Sequence, residues 1–239
     1  GFAEIALAAG CEALGVPARD LEVTRLEVEQ MLPLDEQTRA TTQLIPEDDG
    51  TARVEIHSRS ASGHWKRHAV ARIALTQADV PTALPAAVGA ATTIPPSDFY
   101  AALRRTGAHH GQAFAALTRI VRTSGGPTET EIVLPDEATP YRGAVLHPVM
   151  LDAALQTLAA AMPEELLPES SEVTYLPVAM ESIRVFGDIG RRARCRAELV
   201  SIAEGGGDAV GQVTLMDDSG TPIAAVTGVY LRRVQRRTV

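Results

Sequence analysis

Asp152 carries the most pointed chemistry in the chain. It lies in the run Leu146-His147-Pro148-Val149-Met150-Leu151-Asp152-Ala153-Ala154-Leu155-Gln156, flanked by apolar residues with no cationic residue close in sequence. A carboxyl removed from water favours its protonated form, and a carboxyl that stays neutral near pH 7 is a general acid. Gln156 follows four residues later, so on a helix both side chains share one face and the amide can hold the carboxyl or a substrate hydroxyl. The competing reading of a lone aspartate in an apolar helix is a structural carboxyl satisfied by backbone groups. His147 reads chiefly as part of a helix entry, with Pro148 at the first helical position, and secondarily as a direct participant. His109 and His110 either line a channel or pack at the surface.

The remaining composition narrows the chemistry. Cys11 and Cys195 lie far apart without ligand-like spacing, which argues against zinc and suits a reducing compartment. Gly205-Gly206-Gly207 precedes a strand pattern and reads as a turn, not a nucleotide loop. A formal charge of -8 disfavours a nucleic acid partner, and the locally basic tail Leu231 to Arg237 reads as a solvated or linker end. Apolar runs stay well short of the roughly 18 residues of a membrane span, and no secretory signal pattern opens the chain. These features predict a soluble cytoplasmic protein. Gly1 is not a methionine and enters a helical pattern at once, so the expectation is a piece cut from a longer polypeptide.

The positioning elements follow from periodicity. Phe2, Ile5, Ala6 and Ala9 recur at helical spacing, with Gly10 or Gly15 ending the helix. Leu21 to Met31, Thr38 to Ile45, Arg53 to Ser60 and Trp65 to Leu75 read as strands, the last two flanking Ser62-Gly63. Ala, Pro and Thr dominate Gln77 to Pro96, the profile of an extended linker. A short helix over Asp98 to Arg105 precedes strands over Phe114 to Arg122 and Glu129 to Leu134. The strongest helix is Pro148 to Ala161. Strands over Val173 to Phe186, Arg192 to Ser201, Gly211 to Met216 and Pro222 to Val234 follow, with the turn Asp217-Asp218-Ser219-Gly220 mirroring the earlier one. Helix-then-sheet thus occurs twice, Phe2 to Leu14 answering Met150 to Met162 and Leu21 to Leu34 answering Val173 to Phe186. Such an apolar helix needs a sheet to cover it. The expected fold is α+β, a double hot dog of two helices each wrapped by antiparallel strands. The first spans 1–80, a linker spans 81–97, and the second spans 98–239. Trp65 reads as core or sheet packing, and Glu4 as structural.

Leu146 to Gln156 resembles the second signature of dehydratase domains from modular polyketide synthases, in which an acid on the buried helix is followed four residues on by Gln or His. Gly107-Ala108-His109-His110-Gly111-Gln112-Ala113-Phe114 is similar to the family's Gly-x-x-Tyr-Gly-Pro-x-Phe segment, with His110 at the tyrosine position and Gln112 replacing proline. Tyr175-Leu176-Pro177-Val178 resembles its Leu-Pro-Phe stretch, and Trp65-Lys66-Arg67-His68-Ala69 the end of the first hot dog. The phrases around His110 and Leu117-Thr118-Arg119-Ile120-Val121-Arg122 look most like mycobacterial phthiocerol-type lipid synthases. A further family signature, His-x-x-x-Gly-x-x-x-x-Pro with the catalytic base, falls ahead of Gly1.

The resemblance implies removal of water from a 3-hydroxyacyl chain tethered to acyl carrier protein, giving a trans-2-enoyl thioester. Asp152 and Gln156 are then the catalytic residues, and His110, Gly111, Phe114, His147, Pro148, Leu176 and Pro177 the substrate-binding ones. No metal or diffusible cofactor is implied. The implied partners are acyl carrier protein, the other synthase domains and a second copy in a homodimer. Without the upstream histidine these 239 residues are expected to be inactive. A silent scaffold, or a hot-dog isomerase, cyclase or thioesterase, is the alternative.

Overall fold

The computed structural model describes residues 1–33, 38–59, 63–76, 81–138, 143–163 and 173–235. Helix α1 (Phe2–Leu14) opens the chain and is followed by strands β1 (Leu21–Val28), β2 (Arg39–Pro46), β3 (Ala52–Arg59) and β4 (Trp65–Leu75). Strand β5 (Ala91–Ile94), helix α2 (Pro96–Arg105), β6 (Leu117–Thr123) and β7 (Thr128–Val133) lead to helix α3 (Pro148–Ala160). Strands β8 (Val173–Met180), β9 (Ser182–Val185), β10 (Arg192–Ile202), β11 (Ala209–Met216) and β12 (Pro222–Gln235) complete it. All described pairings are antiparallel, in one continuous sheet ordered β2-β3-β4-β1-β8-β12-β11-β10-β7-β6-β5, with β9 bridging β1 and β12.

That order repeats a unit. The four strands after α1 lie as β2-β3-β4-β1, and the corresponding strands after α3 lie as β10-β11-β12-β8. Each helix rests inside its own strands, α1 against β1 to β4 and α3 against β6, β7, β10 and β11, the expected double hot dog. The units meet where β1 pairs β8 through Leu26 with Met180 and Glu27 with Ala179. Beyond β10 the second unit continues into β7, whereas β2 ends the sheet among the described residues.

Helix and sheet approach closely in both units, and glycine makes the room. A Cβ on Gly10 of α1 would stand 2.8 Å from Ile73 Cδ1; one on Gly211 of β11 would stand 2.4 Å from Leu158 Cδ1 of α3. Gly10 therefore lies inside α1, and Gly15, with φ of 66°, ends it. Leu7, Met150, Leu158 and Ile183 are fully enclosed, and each such side chain contributes about 1.5–3 kcal/mol on burial.

Several sequence expectations shift. The strand expected over Val173 to Phe186 breaks at Glu181, whose N–H reaches the Thr227 and Gly228 carbonyls where Gly228 turns β12 at φ of 58°. Residues 112–114 form a tight 3-10 turn, so β6 begins only at Leu117. Residues 91–94, inside the expected linker, form β5 and pair with β6. Trp65 is 56% exposed, not core; it lies on the outer face beneath the Arg59 guanidinium. The basic tail is not a loose end as far as Gln235, because Leu231 is buried in β12. Ser62, Leu34 and residues 236–237, which entered the turn, repeat and tail readings, lie outside the described residues.

Two side chains tie α3 in place. Arg122 on β6 donates from Nε and Nη2 to the Ala160 carbonyl, at 3.1 and 2.6 Å, and from Nη2 to Met162 O at 3.3 Å, satisfying carbonyls a helix end leaves open. At the other end Glu4 of α1 accepts the N–H groups of Val145 (3.0 Å) and Leu146 (2.7 Å), on the approach to α3. Glu4 is buried, and that burial pushes its carboxyl above the ordinary value, opposed by the two backbone hydrogen bonds. Glu4→Ala strands two backbone donors, each costing about 1–3 kcal/mol. A urea titration should therefore show a loss of about 2 kcal/mol or more, and an unchanged midpoint would refute this role.

Candidate active site

α3 begins sharply because its entry is prepared. Pro148 occupies the first position with its fixed φ, and His147 caps the turn, its Nδ1 accepting the Val149 N–H at 3.2 Å. The imidazole of His147 is thus engaged in helix geometry. From this start, Asp152, Leu155, Gln156 and Ala159 fall on one face and line a groove of about 230 Å³. The end of α2 and the turn after it supply Leu103, Thr106, Ala108 and His110, and the opposite wall comes from β8 and Leu231. Apart from Asp152 and Gln156 the wall is largely apolar, as a ligand groove usually is.

Gln156 is buried and fully engaged. Its Nε2 donates to Asp152 Oδ2 at 2.7 Å and to the Phe114 carbonyl at 2.9 Å, while its Oε1 accepts the Tyr100 hydroxyl at 2.9 Å. Tyr100 Oη in turn accepts the Leu117 N–H at 3.0 Å. Burial pushes the Tyr100 phenol up to about 12. His110 Nε2 stands 3.8 Å from Asp152 Oδ2, beyond hydrogen-bond range, and its buried Nδ1 has no hydrogen-bond partner among the described residues.

The environment of Asp152 differs from that expected. Its side chain is 38% exposed, because it faces the open groove. No arginine contacts it among the described residues. Gln156 holds Oδ2, and no hydrogen bond reaches Oδ1 among the described residues.

Of the residues put forward as substrate-binding, His110, Leu176 and Pro177 line the groove with Asp152 and Gln156. Four do not. Gly111 starts the 3-10 turn, Phe114 turns its ring outward and offers only its carbonyl, and His147 and Pro148 build the helix entry. His109 is exposed, in contrast to its neighbour. Sequence reasoning missed Tyr100, 56 residues from Gln156; its only signal was a tyrosine in the short helix just ahead of the Gly107 to Phe114 segment. No cluster of three or more metal-ligating side chains occurs among the described residues, and no described helix is long and apolar enough to cross a membrane.

Comparisons with known proteins agree with this architecture. Residues 75–239 match the family model described as polyketide synthase dehydratase N-terminal domain, and residues 1–59 match a second model, described as polyketide synthase dehydratase domain. A phenolphthiocerol/phthiocerol polyketide synthase of Mycobacterium tuberculosis is 52% identical over 245 residues, covering 100% of this chain and 13% of that protein. Polyketide synthase GfsE of Streptomyces halstedii is 32% identical over 98% of this chain and 6% of its own length. The chain therefore spans only a small part of the curated relatives it matches. Among solved structures, the dehydratase domain of PpsC from M. tuberculosis in complex with C12:1-CoA superposes with a TM-score of 0.82 at 32% identity, covering 98% of this chain and 83% of that one. A relative 52% identical over the whole chain, the shared fold and two family models that together account for most of the sequence lead to one assignment: this chain belongs to the polyketide synthase dehydratase family.

Proposed function

We propose that the dehydratase domain to which this chain belongs removes water from a 3-hydroxyacyl thioester to give a trans-2-enoyl thioester, with Asp152 protonating the departing hydroxyl. The supporting observation is the division of labour on one carboxyl, Oδ2 held by Gln156 and Oδ1 open at an apolar groove. In the reaction a base removes a proton from C2, the C2–C3 double bond forms, and the C3 hydroxyl leaves as water with the proton from Asp152. Each positioned proton transfer contributes about 10²–10⁴-fold. The apolar wall of Leu103, Leu155 and Leu176 excludes water and accommodates an acyl chain. Under the same reading the acyl group arrives on the phosphopantetheine arm of acyl carrier protein, beside the other domains of a synthase. The domain works as a homodimer in the cytoplasm and uses no metal or diffusible cofactor.

The base belongs, on this reading, to the family's His-x-x-x-Gly-x-x-x-x-Pro signature. Two features support a place for it: Glu4 near the start of α1 holds the Val145 and Leu146 N–H groups on the approach to α3, and among the described residues β2 ends the sheet where the second unit continues from β10 into β7.

Asp152→Asn keeps the shape of the side chain and removes the acid. Turnover of a 3-hydroxyacyl thioester, followed as enoyl product in the intact protein, should fall at least about 100-fold, with the melting temperature nearly unchanged. Retained turnover removes the assignment of Asp152. A second expectation concerns the base. The polypeptide of residues 1–239 alone should form no enoyl product, whereas a chain extended upstream with the histidine signature should form it; turnover by the shorter polypeptide would show that its own residues supply the base.

A further inference from the structure

The hydroxyl of Tyr100 lies between two groups whose hydrogen-bonding roles leave it one arrangement. A backbone N–H only donates, so Leu117 donates to Tyr100 Oη. The single phenol proton is then directed to Gln156 Oε1, which can only accept. On the far side of the amide the Phe114 carbonyl also only accepts, so the NH₂ of Gln156 must face it, and the second hydrogen of that NH₂ points to Asp152 Oδ2. The orientation of this amide follows from its partners. Turned by 180°, it would oppose its oxygen to the Phe114 carbonyl and its NH₂ to a hydroxyl whose proton has nowhere else to go.

The consequence reaches the carboxyl. Oδ2 receives an N–H, so the proton of a neutral Asp152 resides on Oδ1, the oxygen without a described hydrogen bond. We propose that Tyr100 is a positioning residue that fixes which way the Gln156 amide faces, and thereby which oxygen of Asp152 carries the proton delivered to substrate. The inference rests on the dehydration reading for its effect on rate, but the orientation of the amide can be read without turnover. Partly buried beside α3, the Tyr100 phenol keeps its proton throughout the physiological range. With phenylalanine at position 100 only the Phe114 carbonyl still orients the amide; a turned amide, whose Oε1 accepts from a protonated Oδ2, then becomes populated and holds the proton on the oxygen facing Gln156.

The test measures kcat and KM for enoyl formation from a 3-hydroxyacyl N-acetylcysteamine thioester in the intact protein. Wild type, Tyr100→Phe, Gln156→Leu and the double variant are compared. Tyr100→Phe should lower kcat about 10- to 100-fold, the scale for misplacing one reacting group, with KM within about twofold. In the Gln156→Leu background the same change should add less than about twofold, because its route is already cut. An unchanged kcat in Tyr100→Phe overturns the proposal, as does a full multiplicative loss in the double variant, which would make Tyr100 a fold residue. In wild type the two Nε2 protons of Gln156 should remain one slowly exchanging NMR pair from pH 5 to 9; a flipping amide overturns the proposal even where Tyr100→Phe fails to fold. A wild type without enoyl product overturns the dehydration reading, and the NMR result then decides the amide alone.

Discussion

A thirteen-residue helix that is apolar nearly all round cannot stand in water, and enclosing α3 is the constraint from which the rest of the second unit follows. A sheet must curve around it, and each polar group carried inside must find a partner. Thr157 meets Thr130 Oγ1 at 2.7 Å and donates to the Ala153 carbonyl. The last carbonyls meet Arg122. Gln156 meets three groups at once. This thorough satisfaction makes the exception informative: Oδ1 of Asp152, on the face of α3 that borders the groove, has no hydrogen bond among the described residues. A helix held at both ends by Glu4 and Arg122 keeps that oxygen at a fixed place in the groove.

Much of this was legible in the residue order because the signals were local. Pro148 marked the start of α3, the spacing of Asp152 and Gln156 put them on one face, and alternation located most strands. Reading two helix-then-sheet units from Phe2 to Leu14 against Met150 to Met162 led to the double hot dog. The misreadings share a cause, since each turned on a direction or a partner that residue type and spacing alone do not give. The break at Glu181 is made by the carbonyls of Thr227 and Gly228, more than forty residues on. Trp65 resembles a core residue by type, but the register of β3 and β4 turns it outward beside Arg59. Apolar neighbours of Asp152 implied full burial, yet flanking residues on a helix face other directions, and the direction of Asp152 itself is the groove. Tyr100 gave no periodic signal because its partners, Leu117 and Gln156, are joined to it only by the fold.

The repeat also places two carboxyls at equivalent points in different surroundings. Laying Phe2 against Met150 puts Glu4 opposite Asp152, so each enclosed helix carries a carboxyl at the same point. Their surroundings have separated. Glu4 is buried, and its two oxygens take the N–H groups of Val145 and Leu146, which leaves it committed to the backbone. Asp152 receives one side-chain amide on one oxygen and faces a groove with the other. Two carboxyls in equivalent places thus differ in the number of donors that converge on them, and a carboxyl with both oxygens engaged by backbone donors has neither free to meet another group. The backbone that Glu4 holds is the approach to the helix bearing Asp152. The carboxyl of the first unit therefore serves the second by fixing where that helix begins, which makes the two halves unequal partners in one site.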